Sequence, residues 1–328
     1  MFAISYYLWY NCCQQTTAKG APPMLNLKYL PAIETILQEG SITAASKKLY
    51  VSQPALSQTI KQVEAELGSP IFRRGVTPIA LTYEGELYIQ AAQRMQDIDR
   101  SLHARVADAR AEFHGEFSLG ISTQRGLQLL PRVMPEFMRR YPKVRVNLVE
   151  SGSDQLERLT LAGQCDMAFL TASGQRSGLE YTLVENEKVV LMAAKSTAIA
   201  RRLPDGTTID IADARNEAFI SMKPGHSVRF IQDQLFQRAG ISPRILLETN
   251  NMEAAKAITA QAEAVFLVPG AYVEPGSPVR ELVRCYPVRG DDFSRHFYFC
   301  RREGMYLAMF QRDLVRLVCQ KLNVPFTL

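Results

Sequence analysis

Apolar residues recur at three- and four-residue intervals through the first third of the chain. Leu30, Ile33 and Leu37 mark a helix that stops at Gly40. Ser41 is a good N-cap for "ITAASKKL", where Ala44 and Ala45 are small enough to admit a neighbouring helix and Leu49 ends the apolar stripe. After "YV", Ser52 is a second N-cap, and Pro54 falls in the first turn, where a missing N–H costs little. Leu56, Ile60, Val63 and Leu67 then form one buried face, and Gly68 supplies the stop. The opposite face carries Gln53, Pro54, Ser57, Gln58 and Lys61.

Two short apolar pieces follow, Ile71-Phe72 and Ile79-Leu81, around Gly75 and Pro78. They predict a small hairpin beside the helices, with Arg73 and Arg74 able to reach a phosphate, and Thr82 capping a long helix. Three helices with a tight turn before the last have the geometry of a helix-turn-helix, which lays its second helix in the DNA major groove. Gln reads adenine, Ser bonds bases or phosphates, and Lys neutralises phosphate. A plain three-helix packing unit with a solvated polar face fits the spacing equally well. Charge does not decide between them: Lys28, Lys47, Lys48, Lys61, Arg73 and Arg74 only modestly exceed Glu34, Glu39, Glu64 and Glu66.

The specific residues do decide. "AASKKLYVSQPALSQTIKQVEAELG", with the following "IF-x-R…LT-x-x-G", resembles the winged helix-turn-helix of the LysR-type transcriptional regulators nearly position by position. The resemblance implies DNA contact by Ser41, Ser52, Gln53, Pro54, Ser57, Gln58, Lys61, Arg73 and Arg74. This chain departs from the family pattern in having Gln58 where Arg is common, and Thr77 or Pro78 where the wing often has another Arg. Both departures bear on which DNA sequence is read.

From Thr82 to about Phe113 a heptad-like seam runs through Tyr88, Ala91, Met95, Ile98, Leu102, Val106 and Ala109, on a helix otherwise rich in charge. Such a seam needs a partner, either the chain's own body or, as its length favours, a second copy, and the family resemblance implies a homodimer through this helix. Two recognition helices can then read an inverted repeat.

Beyond "HGEF" the pattern alternates. "EFSLGIS", "KVRVNLVE" and "CDMAFLT" read as strands, separated by the helices "LLPRVMPEFMRRYP", with prolines at its start and after its end, and "SDQLERLTLAG". A second set follows "LEYTLVENEKVVLMAAK", and alternation of this kind predicts parallel sheet covered on both faces. The two lobes resemble the effector domain of the same regulators, itself similar to periplasmic solute-binding proteins. The fold class expected is therefore α/β with an all-α-type winged helix-turn-helix head and a two-lobed effector domain. The domains expected are a head at 24–82, a dimerisation helix at 83–113 and an effector domain at 114–328. Its first lobe takes 114–186 and 293–328 and its second 187–292, with crossings near Glu185–Lys188 and Gly290–Arg295.

Ligands of open α/β sheets bind outside the carboxyl ends of strands, where helix N-termini attract anions. Candidate effector residues are thus Ser122, Thr123, Gln124 and Thr171 in the first lobe, and Ser221, Lys223, His226 and Ser227 in the second. Hydroxyls and free N–H groups there can hold a small carboxylate or sulfate-like anion. Taken singly, each residue is as readily a simple helix cap. Some relatives sense peroxide with two cysteines around a "GHC" element. Here the element is "GHS", with no cysteine between Cys165 and Cys285.

Composition sets outer bounds. A chain of 328 residues, 47% hydrophobic and 22% charged, is ordinary for two or three globular domains. Its net charge of +5 permits nucleic acid without demanding it. The six cysteines, Cys12 and Cys13 among them, have neither C-x-x-C nor zinc spacing, so reduced thiols, a cytoplasmic location and no metal site are expected. No apolar run approaches the ~18 residues of a membrane span. Residues 1–23 lack a basic n-region and read as a disordered extension or a start assigned upstream of Met24; a membrane-surface anchor fits less well. No G-x-S-x-G, H-E-x-x-H, Walker or G-x-G-x-x-G element is present, and no catalytic residue or cofactor is expected.

The expected function is ligand-gated transcription. Its expected partners are double-stranded DNA, a small-molecule effector that can be anionic, further copies of the chain as a homodimer or homotetramer, and RNA polymerase at the promoter. A repressor without an effector is the alternative. A dimeric solute binder or enzyme with a vestigial DNA head is a third reading, from another class.

Overall fold

Serine caps and glycine stops delimit the head as the pattern predicts. In the computed structural model, which describes residues 26–73, 75–111, 113–172, 175–273, 276–290 and 294–326, a single 3-10 turn (Leu27–Tyr29) leads into α1 (Leu30–Glu39). Then come α2 (Ile42–Lys48) and α3 (Gln53–Leu67). Ser41 Oγ accepts from the Ala44 N–H at 3.4 Å and Ser52 Oγ from the Ala55 N–H at 3.3 Å, each filling one orphan donor of its helix. Leu30, Ile33, Ile36, Ala45, Leu56 and Val63 are buried together. Leu67 is 40% exposed, because the last turn of α3 projects past this core. Arg74, the expected extension 1–23, Cys12 and Cys13 lie outside the described residues.

The expected wing is a single antiparallel bridge, Phe72 to Leu81, with the Arg73 N–H donating to the Ala80 carbonyl. Thr82 Oγ1 accepts from the Gly85 N–H at 3.0 Å and donates to the Pro70 carbonyl at 2.7 Å, tying the wing to the start of α4 (Tyr83–Ala109). Gly85 is glycine for a steric reason: a Cβ there would lie 2.2 Å from the Ile71 carbonyl oxygen. Tyr88, expected on the dimer seam, is buried in the head with Ile89 and Ala92, because the first turns of α4 close this core.

The described residues up to His103 and those from Ala104 onwards form two compact units, the division falling within α4. The second unit continues with β1 (Gly115–Ile121), α5 (Thr123–Arg140), β2 (Val144–Glu150), α6 (Ser153–Leu161), β3 (Met167–Thr171) and β4 (Leu179–Ala194). Then follow α7 (Ala198–Arg202), β5 (Phe219–Met222), α8 (Ser227–Ala239), β6 (Ile245–Thr249), α9 (Met252–Gln261) and β7 (Val265–Pro269). Last come α10 (Pro278–Leu282), β8 (Val283–Pro287), β9 (Ser294–Arg302) and α11 (Met309–Leu322). No helix among the described residues is long and apolar enough to cross a membrane.

The strands run in the order β2-β1-β3-β9-β4-β7-β5-β6, with β8 also on β4. Strand–helix–strand units are parallel, β1 with β2 and β3, and β5 with β6 and β7. β4 and β9 depart from the expected all-parallel arrangement. They enter each sheet from the other lobe, and so run antiparallel to β3, β7, β8 and one another. β4 pairs with β9 as far as Lys188 and with β7 from Val189 onwards, which marks the passage between lobes. The core of one lobe centres on Phe117, Phe137, Phe169 and Leu314, and that of the other on Leu191, Phe219, Phe266 and Tyr286.

α5 begins at Thr123, earlier than the prolines suggest, so Pro131 and Pro135 lie inside it. Both sit on its exposed face, one turn apart, where water can satisfy the carbonyls whose N–H partners they lack. The end of α4 is fastened to this unit. The Asp108 carboxylate accepts from the Met309 N–H at 3.0 Å, capping α11, and from the Tyr306 hydroxyl at 2.9 Å, while Arg105 lies 4.5 Å over the Tyr306 ring.

Candidate functional site

The polar face of α3 is turned outward. Ser52, Gln53, Pro54, Gln58 and Lys61 are exposed and Ser57 is half-buried. Ser41 and Ser52 accept from helix N–H groups, which leaves each hydroxyl hydrogen free to give to a phosphate. Gln53 Oε1 accepts from the Thr43 hydroxyl at 3.3 Å, orienting the amide at the start of α3. Lys48 is committed to Glu39 at 2.6 Å. Arg73 is exposed, but its Nε donates to the Leu81 carbonyl at 2.8 Å, so the side chain braces the wing as well as offering its remaining N–H groups outward.

α5, α6 and α8 start at the carboxyl ends of strands without a side-chain cap. Ser122, extended at φ −69° and ψ 141°, precedes α5 after β1, and His226 precedes α8 after β5; neither caps its helix. Their first N–H groups are therefore open to an acceptor. Thr123, Lys223 and Ser227 are exposed at these mouths, and the Gln124 Oε1 is buried without a hydrogen-bond donor among the described residues. Ser221, expected at the mouth, is fully buried and exchanges hydrogen bonds with Gln232 inside the lobe. The side chain of β5 at that position points into the α8 packing rather than the cleft.

Between the lobes lies a charge cluster that sequence reasoning missed. Glu187 on β4, 1% exposed at its side chain, sits 3.0 Å from Arg125 Nη1 and 3.3 Å from Arg295 Nη1. Arg125 comes from the first turn of α5 and also holds Glu185 at 2.5 Å, with its guanidinium 4.2 Å over the Phe297 ring. Arg295 lies opposite Glu187 in the β4–β9 register and donates to the Thr171 hydroxyl at 3.0 Å. It also stands 5.8 Å over the ring of Tyr272, a residue of the second lobe. The contacts are close enough for charge pairing, yet both Glu187 oxygens, Arg125 Nε, and Arg295 Nε and Nη1 lack aligned hydrogen-bond partners among the described residues. Burial, then the neighbouring Arg295 charge, lowers the pKa of His226. Burial raises that of Tyr272. One signal was available: Glu185 and Glu187 alternate on the strand segment where the chain was expected to change lobe.

Among the described residues the thiols are buried or half-buried and do not form a reactive centre. Burial pushes Cys165 up to about 11 and Cys300 up to about 12, far from thiolate at neutral pH.

Comparison with known proteins agrees with both parts. Residues 27–86 match the model of the bacterial regulatory helix-turn-helix protein, lysR family, and residues 110–322 match the LysR substrate binding domain. The chain is 29% identical over 262 residues to the HTH-type transcriptional regulator YcgK of Bacillus subtilis, covering 75% of this chain and 80% of that protein. It is 26% identical over 256 residues to the HTH-type transcriptional regulator BenM of Acinetobacter baylyi, covering 75% and 81%. Full-length OxyR of Pseudomonas aeruginosa has the same fold at a TM-score of 0.66 and 19% identity, covering 90% of this chain and 97% of that one. CbnR, solved with its target DNA, superposes at a TM-score of 0.54 and 23% identity, covering 90% and 99%. An outward polar helix in the head, a two-lobed sheet behind it, and matches spanning both thus converge: the chain belongs to the LysR family of transcriptional regulators, with a DNA-binding helix-turn-helix head and an effector-binding domain.

Proposed function

We propose that this regulator acts in the cytoplasm, without catalytic activity, by reading the two halves of an inverted repeat with the α3 helices of a dimer. The observation that carries this reading is the α3 face itself: Gln53, Pro54, Gln58 and Lys61 are exposed beside a capped N-terminus, while Leu56, Ile60 and Val63 hold the opposite side in the core. CbnR, of the same fold, was solved on its target DNA, which supports carrying the docking mode over to α3. The dimer forms through α4, whose Ile98, Leu102 and Val106 are 70%, 59% and 41% exposed at four-residue spacing, with Met95 half-buried and Ala91 and Ala109 exposed along the helix. Two such dimers associate as a tetramer in contact with promoter DNA and RNA polymerase.

A small anionic effector binds the cleft between the lobes. Ser122, Gln124, Thr171 and His226 frame it, and the uncapped starts of α5 and α8 supply N–H groups and the positive ends of their helix dipoles. It acts only through differential affinity for two packings of the lobes.

The test is footprinting of the full-length protein on the DNA flanking its own gene, at two salt concentrations and with candidate carboxylates. Protection of an inverted repeat that weakens with salt is expected. Binding unchanged after joint replacement of Gln53, Ser57 and Lys61 by Ala would reject the α3 face. A footprint indifferent to every effector would leave an effector-independent repressor.

A further inference from the structure

The turn between α2 and α3 carries a residue whose choice stability does not explain. α2 ends in a Schellman arrangement: the Tyr50 N–H donates to the Lys47 carbonyl at 3.3 Å and the Val51 N–H to the Ser46 carbonyl at 3.0 Å. This closure needs a left-handed residue, and Tyr50 stands there at φ 56°. Glycine is the residue that meets the requirement without crowding the following carbonyl. The chain uses it at the ends of α1, α3 and α8, with Gly40, Gly68 and Gly240 all at positive φ. Asn323 does the same for α11, and asparagine tolerates the region. Ala111, also left-handed, carries the same Cβ crowding but no large side chain beyond it.

Among the described residues no side-chain packing offsets the strain at Tyr50: the residue is 96% exposed, with Val51 beside it 45% exposed, so the ring contributes almost no packing. A strained, solvent-facing aromatic marks function sooner than folding. Its position shows which function. Tyr50 lies two residues before Ser52, the cap of α3, and follows the basic end of α2 at Lys47 and Lys48. In a helix-turn-helix the elements before the recognition helix lie along the sugar–phosphate backbone beside the groove. Tyrosine hydroxyls are among the groups that donate to phosphate oxygens there.

We propose that Tyr50 is a DNA-backbone contact. Its hydroxyl donates to a phosphate oxygen on the flank of the groove that α3 enters, and its ring covers the adjoining deoxyribose. The inference rests on the DNA reading of the α3 face. The contact sets the register of α3 on the duplex and carries no base identity of its own.

Full-length Tyr50→Phe, Tyr50→Asn and Tyr50→Gly proteins would be titrated against two probes: a duplex carrying the footprinted repeat and a mixed-sequence duplex of equal length. Loss of one charge-assisted hydrogen bond weakens Tyr50→Phe binding roughly tenfold on both probes. The log-affinity against log-salt slope stays unchanged, because a neutral hydroxyl releases no counterion; Lys61→Ala, by contrast, lowers that slope by about one. Tyr50→Asn and Tyr50→Gly lose at least as much affinity while the melting temperature of the head holds or rises. Wild-type affinity in Tyr50→Phe overturns the hydroxyl contact. A lower melting temperature in Tyr50→Gly makes Tyr50 a folding residue and overturns it as well. If the wild type binds neither probe, both this proposal and the DNA reading fall; if the wild type binds and Tyr50→Phe is unaffected, this proposal falls alone.

Discussion

Replacing Glu187 by Gln removes a carboxylate that, alone among the described residues, pairs with both Arg125 and Arg295, while keeping shape and size. Glu187 is 1% exposed at its side chain and the two arginines 3% and 9%, so solvent cannot take over the lost charge. Each pair is worth about 4 kcal/mol at 4 Å in an effective dielectric near 20 before desolvation is subtracted. Breaking a buried pair from one side costs about 3–5 kcal/mol because the remaining charge stays uncompensated. The lower end applies here. Arg125 keeps Glu185, whereas among the described residues Arg295 is left with the Thr171 hydroxyl and the Tyr272 side chain, neither of them charged. A loss of about 3 kcal/mol lowers the melting transition of a unit this size by roughly 6–12 °C. Calorimetry on the full chain reads that transition separately from the head, whose melting should not move. Burial also makes the shift insensitive to salt. Glu185→Gln is the control: its side chain is 28% exposed and Arg125 keeps Glu187, so about 1 kcal/mol is expected. Adding Arg295→Gln to Glu187→Gln should recover part of the loss. A transition lowered by less than about 2 °C would refute the reasoning, and the cluster would then be hydrated rather than a closed pair between the lobes.

Two further outcomes follow from local geometry. Gly85→Ala improves helix propensity in α4, yet its methyl would meet the Ile71 carbonyl, which is backbone and cannot step aside; the head should lose about 1–3 kcal/mol or more, with DNA affinity falling and the effector-unit transition unchanged in calorimetry. His226 has its pKa lowered by burial and by Arg295, so the folded protein binds its proton less readily than the unfolded chain. The neutral side chain's contribution is complete above the unfolded value near ~6.5 and is lost as pH falls through the folded value. Thermal melts between pH 7.5 and 5 should show the effector unit weakening on acidification, and His226→Gln should flatten that slope.

Local signals were legible in the sequence because their physics is local. Ser41 and Ser52 cap the helices they precede, Gly40 and Gly68 stop the helices they follow, and the three- and four-residue spacing of Leu56, Ile60 and Val63 gives the buried face of α3 whatever surrounds it. From these the head and its outward polar face could be read, while the family resemblance rested on the specific residues of "AASKKLYVSQPALSQTIKQVEAELG". The tertiary structure alone decided which apolar or polar position meets which neighbour. Tyr88 has seam spacing but closes the head's own core, and Ser221 ends a strand but bonds Gln232 inside its lobe. Glu187 joins Arg125 and Arg295, some sixty and one hundred residues away along the chain, only because β4 and β9 cross between lobes side by side. Periodicity records which side of an element is apolar, whereas burial and ion pairing depend on what the rest of the chain brings to that side.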